Sequence, residues 1–243
     1  MKTLHFIAHS TCLIETEDSF LLFDFYDSSS TTPILMGLLS NEKPLLVFCT
    51  HSHHDHYSPN IFSLLETFAP KYIFCDQVRE STPPEWRSDV IFLSVLQEYT
   101  LEEFGLSLKV YGSTDEGGSF YIRLQDGFSL FYAGDLNHWH WDQEANAYYQ
   151  SLYAAAYKKE LAHISSDCLS TMDLLLFPTD LRLGPNYLRG LREFFSIVTT
   201  TRYLAPIHWN GTPSDTKELE QMAREHKFQI IDTSQGAISF ILK

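Results

Sequence analysis

Residues 45–59 read Leu45-Leu46-Val47-Phe48-Cys49-Thr50-His51-Ser52-His53-His54-Asp55-His56-Tyr57-Ser58-Pro59. The first five form a continuous apolar run, the pattern of a strand buried on both faces. Ser58 and Pro59 read as an N-cap and a favoured first helical residue, and Ile61, Leu64, Leu65 and Phe68 then fall on one helical face. Between strand and helix stand four imidazoles and one carboxylate, drawn from a chain with only 11 histidines. A solvated polar loop is a poor account of so many histidines beside a buried strand. The segment places chemistry at the strand's C-terminal edge.

Extended backbone projects His51 and His53 to the same side, where they can share one ion, and turns His54 away. Asp55 and His56 are expected to turn outward at the helix entrance, within reach of a neighbouring ion position. Imidazole and carboxylate donors suit zinc, and also iron or manganese, whereas the lack of nearby thiolates disfavours a structural cysteine site. One or two divalent ions are therefore expected.

Working outward, Leu4–Ile7, Cys12–Thr16 and Phe20–Phe23 read as an N-terminal β-meander. Tyr72–Cys75, Val90–Leu93 and Leu106–Tyr111 follow as strands, and Asp126-Gly127 joins Ser119–Leu124 to Phe128–Ala133 in a hairpin that delivers Gly134 and Asp135. A helix is expected from about Glu144 to His163, then a strand at Leu174–Phe177. Tyr187, Leu191, Phe194, Phe195 and Val198 make a helical stripe, and the strand Tyr203–Ile207 ends at His208. Asp215 and Glu218 suggest a capping box for a last helix, before strands at Phe228–Ile231 and Ala237–Leu242. Two groups of strands, each followed by helices, predict an α/β fold of two sheets packed face to face with helices outside, a four-layer αββα sandwich.

Composition sets the bounds. Hydrophobic residues make up 44% and charged residues 20% of 243, ordinary globular usage with no disordered block, so residues 1–243 are expected to form a single domain. The formal net charge of -14, without a basic cluster, argues against nucleic acid as a partner. No apolar run approaches bilayer length, and no secretory signal is evident. Cys12, Cys49, Cys75 and Cys168 lack a CxxC pair and suit reduced thiols in a cytoplasmic protein.

With these residues in view, the chain resembles the metallo-β-lactamase superfamily, whose signature His-x-His-x-Asp-His is met by His51, His53, Asp55 and His56. The resemblance implies a bridging metal ligand at Asp135, in Tyr-Ala-Gly-Asp-Leu-Asn, and a late one at His208, in Ala-Pro-Ile-His-Trp. It implies that Asp55 is catalytic as well as a ligand, orienting the attacking water and relaying its proton. His9-Ser10 and the strand ending in Asp24 are similar to the branch that includes ascorbate-phosphate lactonase-like proteins.

One departure stands out: the family's third histidine for the first metal is absent, since no His occurs from Tyr57 through Asn137. Asp115, a water held by Ser113 or Thr114, or His138 or His140 beside Asp135 are the substitutes to weigh, together with a weak or empty first site. Trp139, Trp141, Tyr148, Tyr149 and Tyr153 suit a core flank and a substrate-pocket wall equally. Arg182 reads first as part of a turn, second as a partner for an anionic substrate group. The resemblance implies a metal-dependent hydrolase of an ester-like, lactone, amide or phosphoester bond in a small molecule. A metal-binding protein with reduced catalysis is the alternative, and a nuclease fits the acidic charge least.

Overall fold

The computed structural model describes residues 1–40, 42–142, 144–167, 169, 171–198, 200–209, 217–234 and 236–243. The chain divides into two compact units, Met1–Gln97 with Gln235–Lys243, and Glu98–Ser234. The first carries β1 (Lys2–Ala8), β2 (Thr11–Glu15), β3 (Phe20–Phe23), α1 (Thr31–Leu38), β4 (Leu45–Cys49), α2 (Asn60–Leu65), β5 (Lys71–Cys75) and β6 (Val90–Leu93). The second carries β7 (Glu98–Leu101), β8 (Leu106–Gly112), β9 (Gly118–Leu124), β10 (Ser129–Tyr132), α3 (Ala147–Ser166), β11 (Thr171–Pro178), α4 (Arg189–Phe194), β12 (Thr200–Ile207), α5 (Lys217–His226) and β13 (Gln229–Ile230). The chain then returns to the first unit as β14 (Ile238–Leu242).

Among the described residues, the first unit's sheet runs β14-β1-β2-β3-β4-β5-β6, antiparallel up to β3 and parallel beyond it. β4 lies in the parallel part with all five residues buried, which is why its sequence shows no alternation. Val47 and Cys49 share a core with Leu35 of α1 and with Ile61, Phe62 and Leu65 of α2. Phe48, on the opposite face, stacks on Phe23. The helix starts one residue later than expected, at Asn60 with Pro59 in the cap position, and the Ser58 hydroxyl accepts the Asn60 N–H at 3.3 Å just ahead of it. α1 is an addition to the elements expected from the sequence, and it contains Pro33 and Gly37, both poor helix formers. Pro33 falls in the first turn, where its missing N–H is harmless, and the fully buried Leu35 anchors the helix.

The second unit's sheet runs β13-β12-β11-β10-β9-β8-β7, antiparallel from β7 to β10 and parallel from β10 to β13. The Asp126-Gly127 hairpin forms as expected, with Gly127 at φ 89°. β7 is an addition: an edge strand whose polar residues hid it. α3 starts later than Glu144, at the Asn146 cap, whose Oδ1 accepts the N–H groups of Tyr148 and Tyr149. Its inner face, Tyr157, Leu161 and Ile164, joins Tyr111, Phe131, Leu175, Phe177 and the expected stripe of Tyr187, Leu191, Phe194, Phe195 and Val198 in one core. Asp215 of the capping box and Cys168 lie outside the described residues. Cys12 and Cys49 are buried thiols whose pKa values desolvation pushes well up, with the Asp24 charge adding to the shift. No described helix is long and apolar enough to cross a membrane.

Candidate metal centre

In the first unit the loop after β4 does not stay extended. The N–H groups of His56 and Tyr57 both donate to the His53 carbonyl, at 2.9 and 2.8 Å, closing a turn. His51 and His53 meet as expected, with Nε2 of one 3.1 Å from Nδ1 of the other. His54 points away, 91% exposed. The expectation that His56 turns outward fails: the turn folds it back, fully buried, with its ring centroid 4.0 Å from that of His51. All three imidazoles of the signature therefore gather on one side of the loop.

A residue that the sequence reading noticed but gave no role holds this arrangement. Asp24, at the end of β3 with φ 50°, is buried with its carboxylate against the loop. Oδ1 accepts the Thr50 N–H at 2.8 Å, and Oδ2 accepts the Thr50 hydroxyl at 2.8 Å and His56 Nδ1 at 2.6 Å. An ionised carboxylate only accepts, so His56 carries its proton on Nδ1 and presents Nε2. The Thr50 hydroxyl has spent its proton on Asp24, so its 2.9 Å contact with His51 Nδ1 is one it accepts. His51 therefore also presents Nε2. One buried carboxylate fixes the tautomers of two candidate ligands, the arrangement that metal-binding histidines use.

Asp55 sits on the same loop, with His9 Nε2 3.1 Å from its Oδ2 and the Ser10 hydroxyl donating to its backbone carbonyl. It stands apart from the buried imidazoles in being about a quarter exposed.

In the second unit Asp135 and His208 are brought together, with Nε2 2.9 Å from Oδ1. Asp135 follows β10 through Gly134, at φ 53°, and His208 ends β12 in a left-handed conformation, φ 53°. The Asp135 carbonyl accepts Trp139 Nε1–H at 2.8 Å. Thr114 pins the same turn: its hydroxyl accepts the Asn137 N–H at 3.0 Å and donates to the Asn137 carbonyl at 2.5 Å. Asp180, buried, has an oxygen 3.9 Å from His208 Nδ1 and takes the Arg182 backbone and guanidinium N–H groups. Arg182 is thus engaged with Asp180 and lies over the Trp141 ring.

The substitutes for the absent histidine separate on this geometry. Thr114 is committed to main-chain atoms, and Asp115 is exposed, with its N–H 3.4 Å from the Ser113 hydroxyl. His138 turns Nδ1 to Glu193 at 2.9 Å, and burial pulls its pKa down against the raising effect of that carboxylate. His140 turns Nε2 to the Asn186 carbonyl at 3.1 Å. Its Nδ1 lies 3.1 Å from Asp142 but out of hydrogen-bond alignment. Trp139 belongs to the core, while Tyr148 and Tyr149 are exposed at 66% and 51%.

The donors fit a divalent ion. Ligands about 2.0–2.1 Å from a tetrahedral ion stand roughly 3.3 Å apart. The 3.1 Å pair in the first unit and the 2.9 Å pair in the second are close to that spacing, with lone pairs rather than N–H groups presented by His51 and His56.

The sequence profile of the beta-lactamase superfamily domain matches residues 3–149, more than half of the chain. A UPF0173 metal-dependent hydrolase of Salinibacter ruber is 35% identical over 89 residues, a match spanning 36% of this chain and 38% of that protein. Igni18, a metallo hydrolase from Ignicoccus hospitalis, superposes over 100% of this chain and 99% of its own with a TM-score of 0.67 at 16% identity. CmlA, a diiron β-hydroxylase from Streptomyces venezuelae, does so over 94% of this chain and 52% of its own, with a TM-score of 0.62 at 10% identity. At such identities these structures establish the fold, an α/β metallo-β-lactamase fold with two sheets and helices.

Proposed function

The chain belongs to the beta-lactamase superfamily, and from that premise we propose that it is a metal-dependent hydrolase acting on an ester-like, lactone, amide or phosphoester bond of a small molecule. The observation that carries this reading is the Asp24 carboxylate fixing His56, and through Thr50 His51, as Nε2 donors. Such preorganisation has little purpose in a solvated loop. The whole chain, residues 1–243, is read as one catalytic domain of a cytoplasmic protein. His51, His53, Asp55, His56, Asp135 and His208 hold one or two ions, zinc by the donor chemistry, with iron and manganese accepted by the same set.

When bound, a divalent ion would make its water acidic enough to ionise near neutral pH and would polarise the bond under attack. The chain's own part is positioning and proton handling. Asp55, exposed enough to meet solvent, orients the attacking water and accepts its proton, work that contributes about 10²- to 10⁴-fold in rate. The net charge of -14 favours a small substrate over nucleic acid.

A second reading, a metal-binding protein with reduced catalysis, draws on the absent third histidine and on Thr114 being spent on the main chain. One experiment separates the two. Metal per chain is measured on protein purified without added metal or chelator, then hydrolysis of bis(p-nitrophenyl) phosphate and p-nitrophenyl acetate is compared with a metal-stripped control. One or two equivalents, with turnover that Asp55→Ala lowers at least about 10²-fold, is the expected result. Bound metal with turnover no higher than the stripped control favours the second reading, and the absence of metal rejects both.

A further inference from the structure

The turn between β1 and β2 does more than join two strands. Their register shifts between Phe6 and Ala8, leaving His9 and Ser10 at the turn. His9 takes φ 49°, a left-handed conformation in which histidine, like asparagine and aspartate, is enriched among non-glycine residues. The next residue, Ser10, is buried and donates its hydroxyl to the Asp55 carbonyl. His9 reaches the same residue's side chain, Nε2 to Oδ2, at 3.1 Å. Tyr26 backs the His9 ring at 5.8 Å between centroids, and its own N–H donates to Thr11 Oγ1 at 2.8 Å. Two adjacent turn residues thus grip Asp55 by main chain and by carboxylate. Two histidine–carboxylate pairs serve this one loop: His56 with Asp24 is sealed from solvent, whereas His9 with Asp55 is 29% and 24% exposed.

We propose that His9 is a positioning residue for Asp55: with its proton on Nε2 it donates to Oδ2 and locks the carboxylate's rotamer. The left-handed turn supplies the reach, since it aims the ring of a residue between two strands at the loop that follows β4. The proposal rests on the reading of Asp55 given above.

The test is cobalt(II) affinity, measured by chelator competition on the full chain with the visible spectrum of the bound cobalt as reporter. It is made for the wild type, His9→Leu, Asp55→Asn and the double variant, with melting temperature recorded for each. His9→Leu is expected to weaken cobalt binding about 10- to 100-fold and to shift the spectrum, as loss of an outer-shell partner does. In the Asp55→Asn background the same change is expected to do almost nothing, because the group it positions is gone. His9→Gln, which keeps an amide N–H at similar reach, is expected to recover most of the affinity. His9→Asn, which keeps the left-handed turn but falls short of Asp55, is not, and it separates the hydrogen bond from the backbone conformation should His9→Leu fold poorly. Equal losses in both backgrounds overturn the proposal, as does a His9→Leu variant that has lost a full cobalt equivalent, since that makes His9 a ligand. A silent His9→Leu beside a damaging Asp55→Asn overturns it while sparing Asp55. A silent Asp55→Asn instead rejects the role given to Asp55 itself.

Discussion

The two units hold their donors by opposite means. In the first, four donors lie within six consecutive residues, and a side chain organises them: Asp24 grips Thr50 and His56 with three hydrogen bonds. In the second, Asp135 and His208 come from the ends of two strands with β11 between them, and the holding contacts reach backbone atoms: Trp139 on the Asp135 carbonyl, Thr114 on both polar groups of Asn137. A side-chain anchor sets the tautomer and direction of each nitrogen. A main-chain anchor sets where a whole turn lies. The first unit is therefore expected to lose metal when one carboxylate changes, and the second when its turn is displaced.

The sharpest blow to this contrast is Asp24→Ala. It strips the partner from the buried His56 Nδ1 and from the Thr50 hydroxyl, so a stability loss of about 3–5 kcal/mol is expected in urea titration. The milder Asp24→Asn is expected to lower cobalt affinity about 10- to 100-fold by chelator competition, and unchanged affinity would remove the side-chain anchor from the account. Next comes Gly190→Ala. A Cβ there would stand 1.9 Å from Asn137 Oδ1 and 2.7 Å from the His138 backbone nitrogen, so the Asp135 turn has to move. A loss of about 1–3 kcal/mol is expected, together with weaker metal binding although no donor has changed. Thr114→Val removes the hydroxyl but not the volume and leaves the Asn137 N–H and carbonyl short of a partner. About 1–2 kcal/mol and a lower metal affinity are expected, with Thr114→Ser restoring both. Equal behaviour of Val and Ser would show that the turn holds without this peg.

The smallest effect is a control outside both donor sets. Lys109 and then Tyr111 hold the Asp167 carboxyl below the usual carboxylate range, against its partial burial. A depressed folded value means that the contribution is present above the unfolded carboxylate's pKa and is lost as pH falls through the folded one. Asp167→Asn is expected to flatten the acid limb of a stability–pH curve, by less than about 1 kcal/mol for so exposed a pair, with metal binding untouched.

The same contrast explains what could be read from the amino acids alone. His51, His53, Asp55 and His56 were legible because they are contiguous and follow the unbroken apolar run of β4. Asp135 and His208 depended on a resemblance, since a single Asp or His at a strand end has no local pattern. Asp24 was visible only as a strand end, because its role lies in partners distant in sequence. His56 was misjudged in direction: periodicity describes extended chain, and the turn closed on the His53 carbonyl reverses it. The strands of both sheets were largely legible, whereas α1 was hidden by its Pro and Gly and β7 by its polarity.

The pairing of β14 with β1 has a consequence for how the protein is made. Lys2 faces Leu242 and Phe6 faces Ile238 in that ladder, with His5 Nδ1 2.7 Å from the Ser239 hydroxyl. On the ribosome the histidine loop emerges before the second unit, but the strand that pairs with β1 arrives only after that unit has been synthesised. Through that interval β1 presents an unpaired edge to every other nascent chain nearby. The donor loop is translated before the second unit, and the outer strand of its sheet after it.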